Sequence, residues 1–247
     1  MTTDPYGDAD LVALYDLDNP AGADHDYYCR LATSLDAVRI VDLGCGTGLL
    51  TRALALAGRC VVGIDPSRTM LDWARRQPGA RGVTWILGDA TSIPATGDVD
   101  LVVCTGNTIM HMDGTQLTAA LTRIHQALRP GGVVSFEARN PSAREWERWT
   151  KEATWGQRDT ALGRLVEWLE VTDVTGDRVT FEAHNVVPGG EDRVYTTVLH
   201  FRDAGSYERA LVDAGFDAIE TDGGWQGEDV TDSSPVVVFR GRSGKPL

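Results

Sequence analysis

Lysine is nearly absent from this 247-residue chain, occurring only at Lys151 and Lys245, and 36 acidic against 23 basic residues leave a formal charge of −13. Nucleic-acid binding draws on clustered Lys and Arg, so this balance argues against a DNA or RNA partner. Arg139, Arg144 and Arg148 are the local exception, and they read as a solvated helical face. No apolar run approaches the ~20 residues of a membrane span. The start, Met1-Thr2-Thr3-Asp4-Pro5, has neither a basic n-region nor an apolar h-region, so no signal peptide is expected. Cys29, Cys45, Cys60 and Cys104 form no C-x-x-C pair. Cys45, Cys60 and Cys104 fall in predicted buried elements, which suggests reduced thiols and, by default, a cytoplasmic location. Zinc-ligand and Walker-type spacings are missing, and the five histidines are scattered, so no metal is expected. With 42% hydrophobic and 24% charged residues, the composition is that of a globular protein with a sizeable core. The expectation is one domain over residues 1–247 with an elaboration.

What is present is concentrated in Val41-Asp42-Leu43-Gly44-Cys45-Gly46-Thr47-Gly48. Ile40, Val41 and Leu43 read as the end of a buried strand. The three alternating glycines let a backbone turn bring its N–H groups against a ligand. Leu49, Leu50, Ala53, Leu54 and Ala57 then follow at helical spacing. A dinucleotide fingerprint would need glycine at position 49, where this chain has Leu49, and Asp42 would repel a pyrophosphate. That carboxylate instead favours a ligand with a cationic amino end. Cys60-Val61-Val62-Gly63-Ile64-Asp65 reads as the next strand and ends on an acid 21 residues beyond Gly44, placed to accept from both hydroxyls of a ribose. A third strand, Val83 to Gly88, leads to Asp89-Ala90, where an acid is placed to accept from an adenine amino group.

This order of segments resembles the class I S-adenosylmethionine-dependent methyltransferases. The resemblance is carried by VDLGCGTG, VVGID, LGDA, Asp100-Leu101-Val102-Val103-Cys104 and Leu128-Arg129-Pro130-Gly131-Gly132, and covers roughly residues 38 to 138. It implies an α/β fold, a doubly wound seven-stranded sheet with an antiparallel last strand, and S-adenosylmethionine as cofactor. It further implies that Asp42, Gly44, Cys45, Gly46 and Gly48 hold the methionine part, that Asp65 with Pro66 and Met70 holds the ribose side, that Asp89 and Ala90 flank the adenine, and that Thr105 also contacts the cofactor. Residues 1–37 would form a helical lid in which Tyr15 donates to the methionine carboxylate, although its tyrosines equally suit helix anchoring. The Asp/Asn-Pro-Pro-aromatic run shared by amino-methylating DNA enzymes is missing after the fourth strand, which favours a small-molecule acceptor.

Beyond the core of residues 38–139, about sixty residues intervene before a helix at 206–214 and a final strand Val236-Val237-Val238-Phe239, which belong to a closing segment 203–247. The insert, residues 140–202, reads as a helix from Pro141 to Ala153 and then an antiparallel meander of Leu165–Val171, Val179–Val187 and Val194–Phe201. It is expected to be the substrate lid. Trp146, Trp149, Trp155 and Trp168, with Trp225 near the last hairpin, read as apolar wall, subunit interface or lid core. Trp146 and Trp168 are the expected substrate contacts, with a homodimer through the lid as a further use. Ligands of open α/β sheets bind beyond the carboxyl ends of the strands, so Thr105 to His111 and Glu137 to Asn140 face the site. His111 is the candidate base, or else packs beneath the cofactor. Glu137 and Arg139 are candidate acceptor contacts that also suit salt-bridge or capping roles. The reading is methyl transfer to O or N of a small organic acceptor in a bacterial cytoplasm. A non-catalytic cofactor-binding module is the alternative, and an NAD-dependent oxidoreductase a further one that Leu49 argues against.

Overall fold

The computed structural model describes residues 4–244, so Met1-Thr2-Thr3 and Lys245 lie outside the described residues. Two helices, α1 (Ala9–Asp18) and α2 (Ala23–Ser34), precede β1 (Arg39–Leu43), α3 (Leu49–Leu54), β2 (Cys60–Asp65), α4 (Arg68–Ala74) and β3 (Val83–Leu87). Then come β4 (Val99–Cys104), α5 (Gly114–Ala127) and β5 (Leu128–Arg139). A short α6 (Lys151–Thr154) introduces β6 (Gly156–Thr160), β7 (Gly163–Thr175), β8 (Arg178–Val186) and β9 (Asp192–His200). The chain closes with α7 (Ala204–Asp213), β10 (Phe216–Asp222) and β11 (Val236–Ser243).

The main sheet has the order β10-β11-β5-β4-β1-β2-β3. Its inner strands are parallel, and β11 runs antiparallel to both β10 and β5, which is the doubly wound sheet the resemblance implied. Alternation along each strand explains why both faces are covered. Val41, Leu43, Val102, Cys104 and Phe136 pack with Leu117, Leu121 and Ile124 of α5 and Tyr207 and Leu211 of α7. The intervening Ile40, Leu101 and Val103 pack with Tyr28 and Leu31 of α2 and Leu50 and Leu54 of α3. So the body of α2 belongs to the core layer, while the segment through α1 and the first turn of α2, with Asp24 and His25, line the cavity beyond the strand ends. No helix among the described residues is long and apolar enough to cross a membrane.

A second, antiparallel sheet, β6-β7-β8-β9, lies between β5 and α7. Its turns fall at Thr175-Gly176-Asp177 and Pro188-Gly189-Gly190, as expected, but it has four strands where the sequence pattern indicated three. The extra strand, β6, is Gly-Gln-Arg-Asp-Thr, which has no apolar alternation and is recruited by backbone pairing with β7. The expected helix from Pro141 to Ala153 is instead three short pieces, Pro141–Ala143, Glu145–Arg148 and α6. Arg144, with φ of 45°, breaks the path between the first two. Cys60, expected to be buried, is exposed at the start of β2.

The helix α1 fastens this second sheet to the core. At its N-cap, Asp8 accepts from Asp10 N and Leu11 N, and also from Arg193 Nη1 (3.0 Å) and Tyr195 Oη (2.5 Å) of β9. At its other end Asp18 pairs with Arg158 of β6 at 2.7 Å, and Leu14 packs with Leu165 and Val187 between the two. Asp8→Ala removes a helix cap worth about 1 kcal/mol together with both cross-links. Backbone hydrogen exchange should then accelerate in α1 and β9 while α5 stays protected. Unaltered exchange in β9 would mean that apolar contacts alone hold the two together.

Candidate functional site

The glycine turn between β1 and α3 is wedged by two side chains. Gly44, Gly46 and Gly48 all have positive φ (74°, 52° and 73°). A Cβ on Gly44 would stand 2.2 Å from Thr108, and one on Gly48 would stand 2.3 Å from the Trp85 ring. Gly46 differs: a Cβ there meets nothing within 4 Å, because it faces open cavity. Asp65 clasps the turn from β2, accepting from Gly46 N and Ser67 N at 2.8 Å each. Burial pushes the Asp65 carboxyl above its usual range, and these two backbone donors work against that shift. Asp42, only 1% exposed, accepts from Thr51 Oγ1 at 2.6 Å through one oxygen. Its other oxygen has no hydrogen-bond partner among the described residues. Burial raises the Asp42 carboxyl to about 6, with the Thr51 hydroxyl opposing and Asp65 adding to the shift.

Across the switch between β1 and β4 the strand ends carry a different set. Glu137 on β5 is 3% exposed and accepts from Tyr28 Oη of α2 and from Asn107 N at 2.7 Å. Burial pushes its carboxyl up to about 7 against those two donors. Asn107 holds a left-handed backbone (φ 59°), and its Oδ1 is buried without a partner among the described residues. His111 Nε2 lies 3.4 Å from Tyr6 Oη on a side chain that keeps contact with solvent, and desolvation by its surroundings shifts the imidazole below its ordinary value, toward the neutral form. Arg139 pairs with Glu145 and places its guanidinium 5.6 Å from the Trp149 ring centroid.

These walls enclose a cavity of about 1020 Å³ roofed by α1 and the face of the second sheet. The structure brings Tyr15, Asp42, Gly44, Cys45, Gly46, Met70 and Thr105 to its lining, together with His111, Glu137 and Arg139. Other expected residues stand elsewhere. Gly48 caps α3 against Trp85, and Asp65 stands behind the turn with Pro66 exposed beside it. Because β3 ends at Leu87, Asp89 is exposed and caps the next turn by accepting from Thr91 N and Oγ1, while Ala90 packs into the core. Trp146 packs on Phe201 and Trp168 stacks on His184 under the Lys151 ammonium, so neither walls the cavity. Trp149 lines it instead. Trp225, one of the tryptophans expected as a candidate wall, lines it too, and so do Tyr6 and His25, which were not singled out from the sequence. Tyr6 gives no local signal, since only the path of the segment before α1 carries it to His111.

The cofactor implied by the resemblance fits this donor set. The orphaned Asp42 oxygen suits the ammonium of a methionine tail, the open side of Gly46 admits close backbone approach, and each Asp65 oxygen keeps a lone pair for a ribose hydroxyl.

Stability carries a signature of the buried acids. Glu137 binds its proton more tightly folded (about 7) than unfolded (4.5). The folded chain therefore holds more protons across that window, and stability falls as pH rises through it, by about 1.4 kcal/mol per unit at most. Glu137→Gln should melt above the wild type at pH 8, with the gap closing toward pH 5. A gap independent of pH would show that Glu137 is not held as described.

A family model described as "Methyltransferase domain" matches residues 40–132. The cypemycin N-terminal methyltransferase of a Streptomyces species is 31% identical over 59% of this chain and 59% of its own length. An uncharacterised methyltransferase of Synechocystis is 30% identical over 55% of this chain and 68% of its own length. The chain spans about half the length of the first of the curated relatives it matches. Among solved structures, the CcbJ methyltransferase of Streptomyces caelestis superposes with a TM-score of 0.80 at 21% identity, covering 99% of this chain and 100% of that one, which is a likeness of fold. The wedged glycine turn, the clasping Asp65, the sheet order and these relatives lead to one assignment: the chain belongs to the class I S-adenosylmethionine-dependent methyltransferases.

Proposed function

We propose that the chain transfers a methyl group from S-adenosylmethionine to an oxygen or nitrogen of a small organic acceptor seated under the second sheet. The observation that carries this reading is the cavity of about 1020 Å³, whose lining joins the glycine turn and Asp42 to His111, Glu137 and the lid face. When bound, the cofactor supplies a methyl group on a cationic sulfur, and transfer from it depends on alignment in dry surroundings. Asp42, the turn from Gly44 to Gly48, Asp65 and Tyr15 hold it on the β1–β2 side.

On the β4–β5 side, the neutral His111 imidazole takes the proton that an alcohol, phenol or ammonium must shed. Tyr6, edge-on to that ring, fixes its orientation from the segment before α1. Leu165, Leu169, Phe181 and Leu199 of the second sheet exclude water and give the acceptor an apolar wall, the usual makeup of a small-ligand site. The Streptomyces relative, an N-terminal methyltransferase, supports nitrogen as one of the two acceptor atoms. The reading takes the bacterial cytoplasm as its setting, and Trp155, 52% exposed on the lid, as the contact for a second copy.

Calorimetric titration should show binding of S-adenosylmethionine and its demethylated product and none of NADH. Asp42→Asn keeps the Thr51 bond but removes the charge, and its affinity should fall by about 1.5–3 kcal/mol, roughly ten- to a hundred-fold. Tight NADH binding, or unchanged affinity in the folded variant, overturns the cofactor assignment. His111→Ala should lower kcat about 10²–10⁴-fold while leaving cofactor affinity intact. Single-turnover rates at the wild-type level would leave catalysis to alignment alone.

A further inference from the structure

We infer that the acceptor is an amine, bound as its ammonium ion, and that Glu137 is the counter-ion that selects it. The inference rests on the methyl-transfer reading and narrows its substrate class.

The topology separates two sets of acids. Asp42 and Asp65 stand at the ends of β1 and β2, the side given to the cofactor, whereas Glu137 stands on β5, across β4 in the sheet, and lines the same cavity. Charge within the cavity is lopsided. Its lining includes Asp16, Asp18, Asp24, Asp42, Glu137, Glu145 and Glu167, but only two arginines, Arg139 and Arg148. Several of the acids are already answered: Arg158 pairs with Asp18 and Glu167, Arg139 with Glu145, and Arg52 approaches Asp16. With Asp42 given to the cofactor, Glu137 remains as a buried acid without an arginine or lysine partner among the described residues.

The groups facing Glu137 make the point sharper. From α2 come Tyr28, Asp24 and His25, and from β4 comes the Cys104 thiol. His25 is the one cation-forming group among them, and its Nδ1 stands 3.2 Å from Asp24. Tyr28 Oη and Asn107 N each occupy one lone pair, one on each Glu137 oxygen, which fixes the carboxyl and leaves acceptor capacity on both oxygens. Asn107 Oδ1 adds a buried acceptor with no donor. Acceptors without donors, in a site with surplus negative charge, call for a ligand that brings several N–H groups and a positive charge. An alcohol brings one donor and no charge, and a carboxylate or phosphate brings neither. Burial has raised Glu137 toward neutrality, and an arriving ammonium restores its ionised form.

The test uses the intact chain saturated with S-adenosylhomocysteine and the matched probes benzylamine and benzyl alcohol, titrated at neutral pH. Benzylamine should bind at least ten-fold more tightly than benzyl alcohol. Glu137→Gln, whose folding is checked by its melting temperature, should lose that preference while still binding S-adenosylhomocysteine. Equal affinity for the two probes, no benzylamine binding, or a preference that survives in Glu137→Gln overturns the inference and leaves the methyl-transfer reading standing. Failure of S-adenosylhomocysteine to bind the wild type brings down the methyl-transfer reading, and this inference with it.

Discussion

Two carboxylates kept out of water in the lining of one cavity, Asp42 on β1 and Glu137 on β5, set the terms for the rest of this molecule. A buried acid is costly unless hydrogen bonds or an opposite charge meet it. Here the direct partners are hydrogen-bond donors, Thr51 for Asp42, Tyr28 and Asn107 for Glu137, with the His25 imidazole as the nearby cation-forming group. Both carboxyls are left with raised affinity for a proton. Charges of this kind at strand ends are tolerated because the sheet behind them is packed on both faces.

The glycine turn and α1 turn that electrostatic preference into a shaped site. Trp85 and Thr108 occupy the space that side chains at Gly48 and Gly44 would need, so the turn has one backbone path, and Asp65 ties it to β2. Asp16 of α1 reaches the same turn through Thr47, and Asp8 and Asp18 tie the helix to the second sheet. The strap, the turn and the lid are thereby one connected structure. Ser67 donating to the Tyr6 carbonyl helps place the Tyr6 ring against His111, so the geometry of a candidate base depends on a residue 105 positions away.

Local patterns made the core legible in the sequence. Apolar strands alternating with helices, glycines at 44, 46 and 48, and acids closing β1 and β2 all act through neighbours close in the chain, and the order of strands follows from short right-handed crossovers. The lid was legible in part. Its apolar strands and its two glycine turns could be read, but β6 could not, since Gly-Gln-Arg-Asp-Thr becomes a strand only because β7 offers it backbone hydrogen bonds. The run from Pro141 to Ala153 shows the opposite failure: helical spacing of tryptophans was real, yet Trp146 packs on Phe201 in the short Glu145–Arg148 turn and Trp149 packs on Phe181 at the cap where that turn ends.

The same division holds at the site. Sequence by itself determined that a glycine turn with following acids would hold a nucleoside with a cationic tail, because those residues are close in the chain and their spacing sets their geometry. Only the tertiary structure decided that Asp89 faces solvent, that Trp149 rather than Trp146 or Trp168 walls the cavity, and that Tyr6 and His25 join it. Those outcomes depend on long-range packing of α1, α2 and the second sheet, where each side chain's direction is set by partners that no local pattern specifies.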